Sequence, residues 1–354
     1  MKLFIKGLGC ISPQKTFDPK IFPDGFSSKH ASYLEHDPPD YSAFIDSRAA
    51  RRMAKIIKMG VGAAKKCLEV AGSGKPSAVI TATGMGCIQD TENFLTSNIE
   101  YEPGLVSPTA FIQSTHNTVG AQISLVLDCN GYNVTYVQRG FSFESALLDS
   151  KLWLQENPGQ EILVGAADEI SPLYYSISRD LGVFKKEEFD SFDLLNNSSE
   201  GFLAGEGAAF FLLSTERGEN DFAVLQSSEM IFKPEGTPEI QNRLDSMLKE
   251  VEMNLNEIDL VLYGYNGDIS GDQLYRDAFR DCFATVPAGY FKHLSGEYHT
   301  ASSFAVWLAS MILKTQAIPE AVLVPGTQVP EKIRSVLIYN HFQNNYHTLT
   351  LLSR

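Results

Sequence analysis

Apolar and polar positions along the chain fall into short β-branched runs alternating with longer stretches of helical period. Runs of the first kind occupy 4–11, 77–84, 133–137, 161–169 and 205–213, each the length of a strand and bounded by glycine, proline or polar residues. The glycines and Pro13 are expected to stop the first of them. Met53, Ile56, Ile57, Gly60, Ala63, Ala64, Cys67 and Leu68 recur at helical spacing, which predicts a helix over 48–71 with Gly72 as its stop. Helical starts are also predicted near 90 and 118. Residues 18–44 lack a sustained period and read as surface loop. After a polar break at 214–221 the alternation resumes, with strands at 222–226, 260–264, 335–339 and 347–352 and helices at 239–253, 272–283 and 300–313. The order repeats that of the first part, so the chain reads as α/β with two fused halves, 1–215 and 216–354.

One stretch, 133–155, organises the reading. A buried strand is expected to run through Gln138-Arg139-Gly140-Phe141 into a helix beginning at Ser142, with no spacer. Junctions of this kind lift a side chain clear of the sheet beside free helix N–H groups, which suits a nucleophile and an oxyanion. This junction holds no cysteine. Ser142 lies in a partial G-x-S-x-G pattern that lacks the second glycine, and an N-cap is the simpler role for it.

The formal net charge of −14 disfavours a nucleic-acid or anionic-membrane binder, which needs a basic face. Against that background the cations Arg48, Arg51, Arg52, Lys55, Lys58, Lys65 and Lys66 form a run without an acid between them. Arg48, Arg51, Arg52 and Lys55 fall at i, i+3, i+4 and i+7, one side of a helix, and fit either a solvated face or an acidic partner. The five cysteines are scattered without C-x-x-C spacing, which fits a reducing cytoplasm and neither a disulfide framework nor a zinc site. No apolar run reaches the ~18 residues of a membrane span. Phosphate loops, dinucleotide fingerprints and metal spacings are absent, so no cofactor and no metal are expected.

Taken together, Gly7-Leu8-Gly9 with Ser12-Pro13, Arg51-Arg52-Met53, Thr83-Gly84, Val106-Ser107-Pro108, His116-Asn117-Thr118-Val119-Gly120, Gly165-Ala166-Ala167-Asp168-Glu169, Gly205-Glu206-Gly207-Ala208 and Lys292 before Gly296 resemble the β-ketoacyl-acyl-carrier-protein synthases, condensing enzymes of the thiolase fold. The resemblance implies a five-layered α-β-α-β-α core of two similar halves and a dimer formed beside the third strand. It implies a cysteine nucleophile and two histidines, and each place is occupied otherwise. The nucleophile's place falls on Gly140, or on Arg139 in the neighbouring register. The first histidine's place holds Asn266 and the second Glu297, with His299 two residues on. The family's glycine-rich turn is matched by Asn340-His341-Phe342-Gln343-Asn344-Asn345-Tyr346, without its glycines. A residue without thiol or hydroxyl cannot form a thioester, and an amide cannot shuttle a proton near neutrality.

The implied carrier-protein docking face is Arg48, Arg51, Arg52 and Lys55, and Phe141 and Phe342 are expected as pocket walls. The best reading is a catalytically silent subunit similar to a chain-length factor of fatty-acid, polyketide or aryl-polyene type. It docks acyl carrier protein, forms a homodimer or a heterodimer with an active ketosynthase, and shapes an acyl tunnel. One alternative is an active 3-oxoacyl synthase with relocated chemistry on Ser142, Cys87, His116 or His299. Another is a homodimeric protein that binds an acyl chain or lipid.

Overall fold

The structure, a computed structural model, describes residues 1–22, 24–51, 53–100, 108–196 and 199–354, with the side chains of residues 47 and 108–110 excepted. Its first half contributes strands β1 (Leu3–Ile11), β2 (Ala78–Ala82), β3 (Tyr132–Tyr136), β4 (Glu161–Asp168) and β5 (Gly207–Ser214). The second contributes β6 (Ala223–Phe232), β7 (Leu260–Tyr263), β8 (Ala288–Tyr290), β9 (Ser335–Phe342) and β10 (Tyr346–Ser353). These ten strands are hydrogen-bonded in the order β8-β7-β9-β10-β6-β1-β5-β4-β2-β3. Each half therefore has the same order, 3-2-4-5-1 by its own count, and the same senses: its second strand is parallel to the third and fourth, its fifth antiparallel to its neighbours. An antiparallel pairing of β1 with β6 joins the halves.

The principal helices are α1 (Lys55–Ala71), α2 (Ile88–Glu100), α3 (Thr118–Val126), α4 (Ser142–Glu156), α5 (Pro172–Asp180), α6 (Thr237–Glu250), α7 (Ile269–Ala278) and α8 (Ser302–Thr315). Three apolar clusters define the layers. α1 and α3 pack on the outer face of the first half-sheet through Ile56, Ala63, Cys67, Val119 and Phe210. α4 and α8 lie between the half-sheets, with Phe143, Leu154, Phe304, Trp307 and Ile338 in one cluster. α6 and α7 cover the second half-sheet through Leu244, Met247, Tyr275 and Tyr339. The five-layered α/β arrangement expected from the resemblance is thus the observed one.

Several local expectations change. β1 runs straight through Gly7 and Gly9 instead of stopping there. A Cβ on Gly7 would lie 2.4 Å from the Cys67 carbonyl oxygen, and one on Gly9 2.1 Å from that of Ala63, so these glycines let α1 lie directly on the strand. The helix expected over 48–71 is broken. Asp46 accepts from the Arg48 and Ala49 N–H groups and starts a single turn, Ser47–Ala50, and α1 begins only at Lys55. Its end is as expected, with Gly72 at φ 65° and its N–H on the Leu68 and Glu69 carbonyls. β3 is the edge strand of the sheet and is half to fully exposed, not buried. Residues 106 and 107 of the expected Val106-Ser107-Pro108 break lie outside the described residues.

The close approach of α1 makes a sharp prediction. Gly9→Ala should lower unfolding stability by about 3 kcal/mol, because backbone of α1 must move to admit the methyl. Gly74→Ala, where nothing lies within 4 Å, should raise it by about 0.5 kcal/mol. Urea unfolding of the two variants checks the contrast.

Candidate functional site

The carboxyl ends of the parallel strands β2, β3 and β4 lie side by side, and the acids that end β4 organise the loops there. Asp168 Oδ1 accepts from Thr83 Oγ1 at 2.9 Å, Gly84 N at 2.7 Å and Met85 N at 3.3 Å. Its Oδ2 accepts from Thr300 N and Oγ1 at 3.1 and 2.8 Å. One buried carboxylate thus fixes both the turn after β2 and the approach to α8. Glu169 accepts from Ile56 N and Gln89 N, each at 3.2 Å, and so caps α1 and α2 together. Burial pushes its carboxyl up to about 7, with the Gln89 N–H and the Lys55 ammonium opposing.

Glu206 completes this group. His36 Nδ1 lies 2.6 Å from Oε1, and Oε2 accepts from Lys55 Nζ at 2.6 Å and Ile170 N at 3.0 Å. Burial opposes ionisation of Glu206, but the His36 and Lys55 contacts overcome it and hold the carboxyl below its ordinary value. Lys55 is therefore turned inward and is removed from the expected docking face. Arg48 and Arg51 are exposed on the preceding turn, and Arg52 lies outside the described residues. Arg48, Arg51 and Lys55 do not share one helical face, because the helix that would align them is broken.

At the junction of β3 and α4 the chain turns through a single 3-10 turn, Arg139–Phe141. The strained residue is Arg139, at φ 53°, a conformation an arginine rarely adopts. The apex of the elbow is thus Arg139, with Gly140 just behind it. Gly140 is buried and offers no space, since a Cβ there would sit 2.6 Å from Phe342 Cβ and 2.7 Å from Tyr346 Cβ. Ser142 is the first residue of α4 and not its N-cap. Its hydroxyl donates to the Arg139 carbonyl at 2.8 Å and accepts from Gln138 N at 2.7 Å. Fully buried and saturated, it is a brace of the elbow rather than a nucleophile.

The residues at the two histidine places meet. Asn266 Nδ2 donates to Glu297 Oε2 at 2.8 Å, and Lys292 Nζ donates to the same oxygen at 2.6 Å and to the His341 carbonyl at 3.0 Å. Asp272 supports the set by accepting from Asn266 N and Gly267 N. All four side chains are buried. Burial drives Glu297 up and Lys292 down from their ordinary values, and their mutual attraction opposes both. The centre is an internally neutralised cluster in which the Glu297 oxygen shared by Lys292 and Asn266 is already occupied.

The turn that carries the family's glycines is a hairpin here. Gln343 and Asn344 adopt φ 50° and 56° without glycine, and the β9–β10 pairing continues to Phe342 opposite Tyr346. Phe342 is pinned between Gly140, Tyr346 and the His299 ring, whose centroid lies 4.4 Å away. Phe342 with Phe202, Phe184 and Tyr174 fills the region beside Glu297 and His299 and leaves a cavity of only ≈ 10 Å³, no more than a water molecule needs. Phe141 packs edge-on against Tyr346 at 5.0 Å. Of the two phenylalanines, Phe342 lines this small cavity.

His299 packs on Gly84, where a Cβ would lie 2.0 Å from its Cγ, and exposed His116 packs on Gly86 two residues on. Burial lowers the His299 imidazole, Asp168 opposing and Arg139 adding to the effect. The thiol of Cys87 is buried and pushed up by desolvation with Glu169 and Asp90 nearby, which makes it a poor nucleophile. No group of three metal-ligating side chains occurs among the described residues. No described helix is long and apolar enough to cross a membrane.

Residues 27–184 match the family described as beta-ketoacyl synthase, N-terminal domain. A search of curated proteins gives no match to the sequence. Among solved structures the chain is similar over 99% of its length, and 98% of the other chain, to the ishigamide ketosynthase/chain length factor, at 17% identity and TM-score 0.82. A ketosynthase in complex with its chain length factor from Xenorhabdus doucetiae aligns at 13% identity and TM-score 0.77, over 99% and 97%. A β-ketoacyl synthase from Burkholderia phymatum STM815 aligns at 14% and 0.76, over 100% and 99%.

Sequence reasoning did not anticipate the buried acids. Glu144 is the clearest case, an acid in the first turn of α4 that is buried between the half-sheets. Desolvation lifts its carboxyl to about 7, the hydroxyls of Ser302 and Thr348 and the Lys292 ammonium opposing. The folded value lies above the unfolded one of about 4.3, so this group contributes stability at low pH that is lost as pH rises through about 7. Glu144→Gln should therefore melt higher than the parent protein at pH 8, with the gap narrowing at pH 5; the opposite trend in thermal scans would refute the assignment. Lys292→Met should cost about 3–5 kcal/mol by stranding Glu297, and adding Glu297→Leu should restore most of it. Denaturant unfolding of the single and double variants measures both.

Proposed function

We propose that the chain is a catalytically silent, chain-length-factor-like subunit of a fatty-acid or polyketide-type synthase. It docks acyl carrier protein and pairs with an active ketosynthase. The observation that carries the reading is the closed Asn266–Glu297–Lys292 cluster at the two histidine places, together with an elbow whose apex residues, Arg139 and Gly140, hold no attacking atom. The unpaired edge of β3, with exposed Leu125, Leu148 and Leu152 on the neighbouring α3 and α4, supports association of two subunits beside that strand. The titles of two similar structures describe a ketosynthase/chain length factor and a ketosynthase with its chain length factor. A third describes an acyl-carrier protein in complex with its ketosynthase. On this reading the halves are residues 1–215 and 216–354, and the acyl tunnel belongs to the pair, this chain supplying a closed wall. The five cysteines, all free, support a reducing, cytoplasmic location.

The docking face on this reading is the turn bearing Arg48 and Arg51. Arg48→Glu with Arg51→Glu should weaken association with acyl carrier protein at least tenfold and flatten its salt dependence. Lys55→Met should leave association nearly unchanged and lower the melting temperature, because its partner is Glu206. Surface plasmon resonance with thermal scans separates the two effects. Co-expression with a complete ketosynthase should yield a heterodimer by native mass spectrometry; failure to pair with any ketosynthase encoded beside it argues against the subunit role.

A further inference from the structure

We infer that the cavity between α4 and β6 binds a small amino acid as its zwitterion, with the ammonium on Glu144 and Gln226 and the carboxylate on Lys151. This goes beyond the subunit reading and does not rest on it. The cavity measures ≈ 50 Å³, and Leu3 of β1, Leu147 of α4 and Leu225 of β6 give it apolar walls. That volume is several times what one water needs.

Two acceptors in the lining lack donors. Glu144 is 2% exposed, and neither of its carboxylate oxygens has a hydrogen bond among the described residues. Lys292, whose charge reaches it, spends its donors on Glu297 and the His341 carbonyl. The Gln226 amide donates to Ser353 Oγ at 2.6 Å, which leaves its buried Oε1 without a donor. Gln226 sits where β6 slips its register against β10, between Leu225 and Ser227, and an irregularity of this kind re-aims a side chain. Buried acceptors are costly unless something supplies the missing donors.

Helical spacing adds the opposite charge. Glu144, Leu147 and Lys151 all line the cavity at i, i+3 and i+7, so one face of α4 presents an acid, an apolar wall and a cation in turn. Lys151 is half-buried and forms no hydrogen bond or ion pair among the described residues, with Glu229 only near enough to feel its charge. Acid and cation stand roughly 10 Å apart along the helix axis, a span that two flexible side chains and an α-amino acid between them can bridge. A simple amine would meet Lys151 as a like charge, and a simple anion would meet Glu144. A zwitterion complements both. The volume admits a short apolar side chain and not an aromatic one. No covalent step is involved.

Isothermal titration of the full chain at pH 8, where the Glu144 carboxyl, lifted to about 7, is ionised, tests this. L-alanine should bind saturably. N-acetyl-L-alanine, which lacks the ammonium, L-alaninamide, which lacks the carboxylate, and L-tryptophan, too large for the cavity, should each bind at least tenfold more weakly. Glu144→Gln and Lys151→Met should each lose at least tenfold in L-alanine affinity, and Lys249→Met, on α6, should lose none. Absence of saturable L-alanine binding, any of the three analogues binding as tightly as L-alanine, or either cavity variant keeping its affinity would overturn the site. None of these readouts involves carrier protein or a ketosynthase, so failure here is distinct from failure to form a heterodimer.

Discussion

Two adjacent carboxylates at the end of β4 set the frame on which the rest of the site rests. Asp168 ties the turn after β2 to the approach of α8, and Glu169 ties the first turns of α1 and α2 together. Because both are buried, every N–H they satisfy is one that water cannot reach, and leaving such groups unpaired is costly. The loops at the carboxyl ends of β2, β3 and β4 are thereby fixed, whatever chemistry they carry. Glu206 extends the same logic outward by drawing in Lys55 and His36.

On this frame the residues at the two places that the sequence resemblance assigns to histidines are bonded to each other and to Lys292. Lys292 and Asn266 both donate to Glu297, and Phe342 is packed against Gly140 by a hairpin that has lost its glycines. A centre able to turn over needs a nucleophile, a base with a free lone pair and room for substrate. Here Glu297 Oε2 is engaged by Lys292 and Asn266, the region beside it is filled by aromatic rings, and the elbow presents Arg139.

The sequence carried the fold further than the site. Alternating β-branched runs and helical periods located the strands and the end of α1, because those signals are local. The break between Ala50 and Lys55 was invisible because the acid that caps α1 at Ile56 is Glu169, 113 residues away. Gly7 and Gly9 read as stops, whereas their meaning depends on a helix that crosses the strand. β3 has a buried strand's residue types, but its place at the sheet edge is a property of strand order. The four substitutions at the family's site were legible by position; that Glu297 would be claimed by Lys292 and Asn266 was not, since pairing across the core needs coordinates. Arg139's strain was equally hidden, because residue type alone would have argued against it.

The central claim is that this chain has no means of taking up an acyl group covalently. The intact mass of the purified chain after incubation with acyl-loaded acyl carrier protein measures this directly. The account predicts a mass unchanged within error, while a complete ketosynthase treated alongside gains the acyl increment. A stoichiometric acyl adduct on this chain, mapped to any of its side chains, would contradict it.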